Sequence, residues 1–314
     1  MLRYPVLCLI ALLLLAVACD GEDASEPTAT PSPPGTTAVT RSPEVTATPR
    51  PDGLEFHFGP TVSDFDRSLI TRAVEVTSEL LSAGAEVRPP SAVFADTEPQ
   101  RLQQSFAENS LAQSWRSDGM AQRMAQSVAE ASYRGIVINT GSAAWQEMNA
   151  SERLRAVAHE YVHVIQLEQA GQAAADATLS SAVTQVPPTG PFWLLEGSAE
   201  AVSWLVLQEL GLGLYAEALF DYAADADGAD LELESLSSYF GYRDSGRAGL
   251  GLAVLATDYL LRSRSLDSLF DFWRDIGDGA DWTTAFTRQF GSPPAFLYIA
   301  FDIYYRDTWA NFEP

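Results

Sequence analysis

The chain has 314 residues, with 42 acidic against 19 basic side chains and a formal charge of -23, a balance that argues against nucleic acid as a partner and against attraction to anionic lipid headgroups. Its 46% hydrophobic and 11% aromatic content is material for a sizeable core. That material is unevenly spread, because residues 20 to 52 hold almost no large apolar side chains.

In chain order, Arg3 followed by the apolar run from Val6 to Val17 reads as a signal peptide, too short to span a bilayer as a permanent helix. Ala16-Val17-Ala18 satisfies an A-x-A cleavage site, and Cys19 directly after it makes residues 1 to 19 similar to a bacterial lipoprotein signal. That similarity implies lipidation at Cys19 and an exported protein held on the outer face of the cytoplasmic membrane, with the lipid as its only membrane attachment; secretion is the alternative. Cys8 would leave with the signal, so the folded part has no cysteine and no disulfide. Residues 20 to 52, rich in Thr, Pro, Ser, Ala and acidic side chains, cannot bury enough surface to offset their ordering entropy and are expected to be a disordered tether. The folded domain is expected over residues 53 to 314.

Its first part alternates elements. Leu54 to Phe58 has strand alternation, Ser63 to Leu81 a helical pattern stopped by Gly84, and Ser91 to Ala95 reads as a second short strand. Arg101 to Ser132 is expected to be helical with a break at Asp118-Gly119, and Arg134 to Asn139 is the strongest strand.

The stretch His159-Glu160-Tyr161-Val162-His163 then places two histidines four apart around a glutamate, in a chain with only three histidines. On a helix this spacing stacks both imidazoles on one face, where they can share one metal ion with Glu160 beside them: the H-E-x-x-H pattern of zinc proteases. The types suit the chemistry, since two neutral imidazoles leave the ion cationic enough to acidify a water and a nearby carboxylate takes its proton. Asn149 or Ser151 can cap this helix, Glu152 suits its first turn and Gly171 its end. Leu154, Val157, Ala158, Tyr161, Val162, Val164 and Ile165 leave little polar face, so the helix is expected to be buried. Polar groups in such a helix need partners.

The remaining histidine, His57, is far upstream on the first strand and is expected to be structural, so the third ligand should be a carboxylate. After the breaks at Pro187, Pro188 and Pro191, Phe192-Trp193-Leu194-Leu195-Glu196-Gly197-Ser198-Ala199-Glu200 opens a second apolar helix with Glu196 and Glu200 four apart on one face. With both motifs, H-E-Y-V-H-x-x-Q and W-L-L-E-G-S-A-E, the chain resembles the gluzincin metallopeptidases, particularly the bacterial peptidase MA-like group, from about residue 130 to 305. The resemblance implies zinc held by His159, His163 and Glu196, with Glu160 as catalytic base and Glu200 supporting a ligand from one turn further on. It also implies a zincin-like α+β fold, mostly α: a small α/β N-terminal half and an α-helical C-terminal half with the zinc cleft between. The substrate would be a peptide or protein. Gluzincins carry an edge strand before the active-site helix that pairs with extended substrate; Arg134 to Asn139 is either that strand or an ordinary core strand. The run from Gln172 to Thr189 departs from the family's spacing and is read as an inserted loop.

Downstream the pattern is helical: Phe192 to Leu210, Leu214 to Ala224, Ala248 to Arg262, Leu266 to Asp275, Trp282 to Phe290 and Pro294 to Tyr305. Trp273, Trp282, Phe286, Phe290, Phe296, Tyr298 and Phe301 are expected in the core. Tyr239 and Tyr242, in a polar, Gly-rich stretch, are candidates for the oxyanion-stabilising group that gluzincins often supply, with packing as the other role for each. Zinc-dependent peptide hydrolysis at the cell surface is the expected function. A catalytically silent zinc-binding lipoprotein used for recognition or envelope structure is the alternative.

Overall fold

The computed structural model describes residues 54–82, 90–108, 119–180 and 185–309. The signal, Cys8, Cys19 and the tether, together with Gly53 and Gly84, lie outside the described residues. No described helix is long and apolar enough to cross a membrane.

Four strands, β1 (Glu55–Phe58), β2 (Ala92–Asp96), β3 (Ala129–Ser132) and β4 (Gly135–Asn139), form one sheet in the order β1-β2-β4-β3. The first two and β4 run parallel, and β3 lies antiparallel to β4. Side chains alternate across a strand, so one face of the sheet offers Val93, Ala95, Ala129, Ile136 and Ile138 to the core shared with helices α1 (Asp64–Ser82) and α5 (Ala150–Ala170). The other face packs Ala92, Phe94 and Val137 on α2 (Pro99–Glu108) and α3 (Met120–Met124). Covered on both faces, β2 and β4 are buried at every position.

The rest is helical: α4 (Ala143–Glu147), α5, α6 (Gln172–Ser180), α7 (Phe192–Glu209), α8 (Tyr215–Ala226), a 3-10 turn at Leu233–Ser237, α9 (Tyr239–Ser263), α10 (Leu266–Gly277), α11 (Trp282–Phe290) and α12 (Pro294–Thr308). The protein is therefore mostly α with a small four-stranded sheet, an α+β arrangement. At its centre α5 packs against α1, α7, α10 and β3, and α7 packs in turn against α9. That second packing depends on Gly197, where an added methyl would sit 2.3 Å from the Ala253 carbonyl oxygen.

Four expectations need correction, and one alternative is decided. The segment expected to be helical from Arg101 to Ser132 ends as β3: Ala129, Glu130 and Ala131 are helix formers by propensity, but pairing with β4 through the Tyr133-Arg134 turn, with Arg134 at φ 73°, overrides it. Asp118 lies outside the described residues. Of the two readings left open for residues 134–139, the core strand holds: residues 135–139 lie between β2 and β3, so the edge next to α5 belongs to β3. The expected loop at Gln172 begins as helix α6. The stretch holding Tyr239 and Tyr242 forms the first turns of α9, capped by Ser238, and Gly246 at φ 58° and ψ -137° separates them from the part expected as helix. Lastly, Phe296 is 66% exposed, because Leu297 and Phe301 take the core face of α12 while Phe296, Ile299 and Ile303 lie on another side of it.

Candidate metal centre

The H-E-x-x-H helix starts where its capping chemistry puts it. Asn149 accepts from the amides of Ser151 and Glu152, and the Glu152 carboxylate returns to the Asn149 amide, a reciprocal capping box. With this start, His159 and His163 fall on the face of α5 that meets α7, at 3% and 6% exposure. Pro191, at the N-cap of α7, sets the register that brings Glu196 to the same place.

The three side chains converge. The Nε2 atoms of His159 and His163 lie 3.0 Å apart, and Oε2 of Glu196 is 3.5 Å from each. A point equidistant from three atoms so spaced lies about 1.9 Å from each, close to the roughly 2.0–2.2 Å of zinc bonds to nitrogen and carboxylate oxygen. This buried group could hold a metal ion.

The surrounding hydrogen bonds state which lone pairs face that point. Nδ1 of His163 lies 2.7 Å from Oε1 of Gln166, whose amide group donates to the Leu195 carbonyl at 3.0 Å and to Ser198 Oγ at 2.8 Å. With its N–H groups spent there, Gln166 is the acceptor and His163 donates from Nδ1. His159 likewise donates from Nδ1 to Oε2 of Glu200 at 2.9 Å. Both Nε2 atoms therefore present lone pairs to one another and to a carboxylate, an arrangement that repels itself unless a cation sits among them.

The electrostatics agree. Burial raises the Glu196 pKa, but the charge of His163 and the closeness of both imidazoles outweigh it and hold the carboxylate well below its usual range. For His159 burial dominates and lowers the value to about 4. Burial also opposes a charge on His163, yet Glu196 wins and lifts it to about 9.

Glu160 is 2% exposed, and its Oε2 has no hydrogen-bond partner. Burial pushes its pKa up to about 7, opposed by His163 and, more weakly, by the Ala131 amide of β3. Beside it opens a small cleft lined by Val128 and Ala129 at the sheet edge, Met148, the α5 side chains Arg155 and His159, and Glu200.

The tyrosines separate. Tyr242 is partly buried, and burial followed by the charge of Glu196 raises its pKa well above the usual value. Tyr239 packs on Phe192 at 5.4 Å between ring centroids and lies under the Arg243 guanidinium. His57 stacks on Phe94 at 4.7 Å, away from the cluster.

Sequence reasoning assigned no role to three residues of the site, although Gln166 closes the first motif. Gln166 is one turn after His163 and Arg155 one turn before His159, so helical spacing could have flagged both. Tyr222, whose hydroxyl donates to Glu200, comes from α8 and has no signal in the sequence.

Fold and site together define a mostly helical α+β protein with a buried two-histidine, one-glutamate group able to hold a metal ion. No family model matches the chain, and no curated protein or solved structure is significantly similar to it.

Proposed function

We propose that the protein is a zinc-dependent peptidase of gluzincin type, resembling the peptidase MA-like group, with a zincin-like arrangement of its sheet and helices around the cleft. One observation carries the reading: a buried glutamate with an unpartnered oxygen lies beside three converging lone-pair donors, which is what water activation requires. His159, His163 and Glu196 would hold the zinc, and two imidazoles with one carboxylate leave a fourth position free. When bound, zinc supplies Lewis-acid polarisation and makes water acidic near neutral pH.

The chain's own residues do the rest. Glu160 would accept a proton from the attacking water and return it to the leaving amine, burial favouring the protonated form in between. The edge of β3, paired with no second strand among the described residues, lines the cleft at Val128 and Ala129, where an extended peptide would pass. Tyr242 donates its hydroxyl proton to the carbonyl oxygen as that oxygen becomes anionic. On the reading of residues 1 to 19 as a lipoprotein-like leader, the activity would lie on the outer face of the cytoplasmic membrane, held through lipid on Cys19, with secretion as the alternative.

The test is to incubate the zinc-loaded protein with a diverse peptide mixture and read the cut sites. Metal-dependent cleavage is expected. Full zinc occupancy without any cleavage would turn the reading to a silent zinc-binding surface protein.

A further inference from the structure

We propose that Arg155 is a positioning residue of the metal site that acts on His159 through Glu200. The proposal rests on the metal reading above.

Glu200 divides its two oxygens. Oε2 accepts from His159 Nδ1 at 2.9 Å, while Oε1 takes hydrogen bonds from Arg155 Nη1 and the Tyr222 hydroxyl. Two donors on one oxygen fix the rotation of the carboxylate and so the direction in which the other oxygen holds the imidazole. The carboxylate is 4% exposed, and a charge buried so deeply requires a partner of opposite sign. Among the described residues Arg155 is the cation that touches it.

The arrangement closes on itself across three helices. The Arg155 guanidinium lies 5.4 Å from the Trp204 ring centroid, and Trp204 Nε1 donates to the Tyr222 hydroxyl at 2.8 Å. That hydroxyl accepts from tryptophan and is left with its proton for Glu200. A planar guanidinium stacked on an aromatic ring keeps its donors aimed in one direction, which a lysine ammonium does only in part. Arg155 also lines the open cleft with 21% of its side chain exposed, so a small cation from solvent can reach its place.

The test measures zinc dissociation constants by chelator competition and the visible spectrum of the cobalt-substituted protein. Arg155→Met keeps the apolar stem on Trp204 and removes the donors; zinc should bind about 10- to 100-fold more weakly, with an altered cobalt spectrum. Arg155→Lys or added guanidinium should recover part of both. In a Glu200→Gln background the Arg155 change should add nothing, because its effect passes through that carboxylate. If Arg155→Met does not fold, Arg155→Lys and Tyr222→Phe enter the same cycle with Glu200→Gln. Native zinc affinity and a native spectrum in the Arg155 variant, or an undiminished effect in the Glu200→Gln background, would overturn the proposal while leaving the metal reading intact. Absence of zinc binding by the unaltered protein would overturn both.

Discussion

Gln166 accepts the Nδ1 proton of His163 at 2.7 Å and is itself locked by donating to the backbone and side chain of α7. A residue one turn beyond His163 thus ties that imidazole to the helix bearing Glu196. Gln166→Leu keeps the bulk and removes both functions. Zinc affinity should fall by about 10- to 100-fold, measured by chelator competition. Unchanged affinity would mean that packing alone orients His163.

Glu160→Gln preserves size and both histidines. We expect zinc occupancy to remain while hydrolysis of a cleaved peptide falls by about 10²-fold or more. Steady-state rates together with metal analysis check both halves, and undiminished turnover would remove Glu160 from the mechanism.

Glu196 and Glu200 should differ in rank. Glu196→Ala leaves two imidazoles around the ion, so zinc should be largely lost at micromolar concentration. Glu200→Ala leaves the three converging side chains in place while removing the support behind His159, and should weaken binding by about 10- to 100-fold. Titrations in the reverse order would exchange the two roles.

The two tyrosines make a matched pair. Tyr242, whose hydroxyl feels the charge of Glu196, should on change to Phe lower kcat by about 10- to 10²-fold with little effect on KM. Tyr239→Phe, which leaves the packing on Phe192 in place, should be close to native. Equal losses in both variants would show disturbance of α9 rather than oxyanion stabilisation.

Asp96, 5% exposed at the end of β2, gives a pH prediction remote from the metal. Burial would raise its pKa, but the Arg101 hydrogen bonds and charge, with the amides of Glu98 and Thr97, hold it below the usual 3.8. A depressed carboxylate pKa contributes stability that is complete above the unfolded value and lost as pH falls through the folded one. Asp96→Asn should therefore cost about 1–3 kcal/mol at neutral pH, and the deficit should shrink below about pH 4. Urea midpoints of the two proteins across that range check this. Parallel curves would exclude the ion pair as the source.

The two motif helices and their contents were legible in the sequence because their determinants are local: Asn149 and Glu152 cap α5, Pro191 opens α7, and spacing by four sets each pair on one face. That a buried helix with His and Glu needs partners followed from polarity alone. The tertiary structure decided what depends on distant segments. Strand β3 exists because β4 pairs with it, and that pairing made β3 rather than β4 the sheet edge. Tyr242 feels the charge of Glu196 only because α7 packs against α9. Arg155 and Tyr222 meet on one oxygen of Glu200 only when α5, α7 and α8 pack together, a convergence that no local pattern encodes.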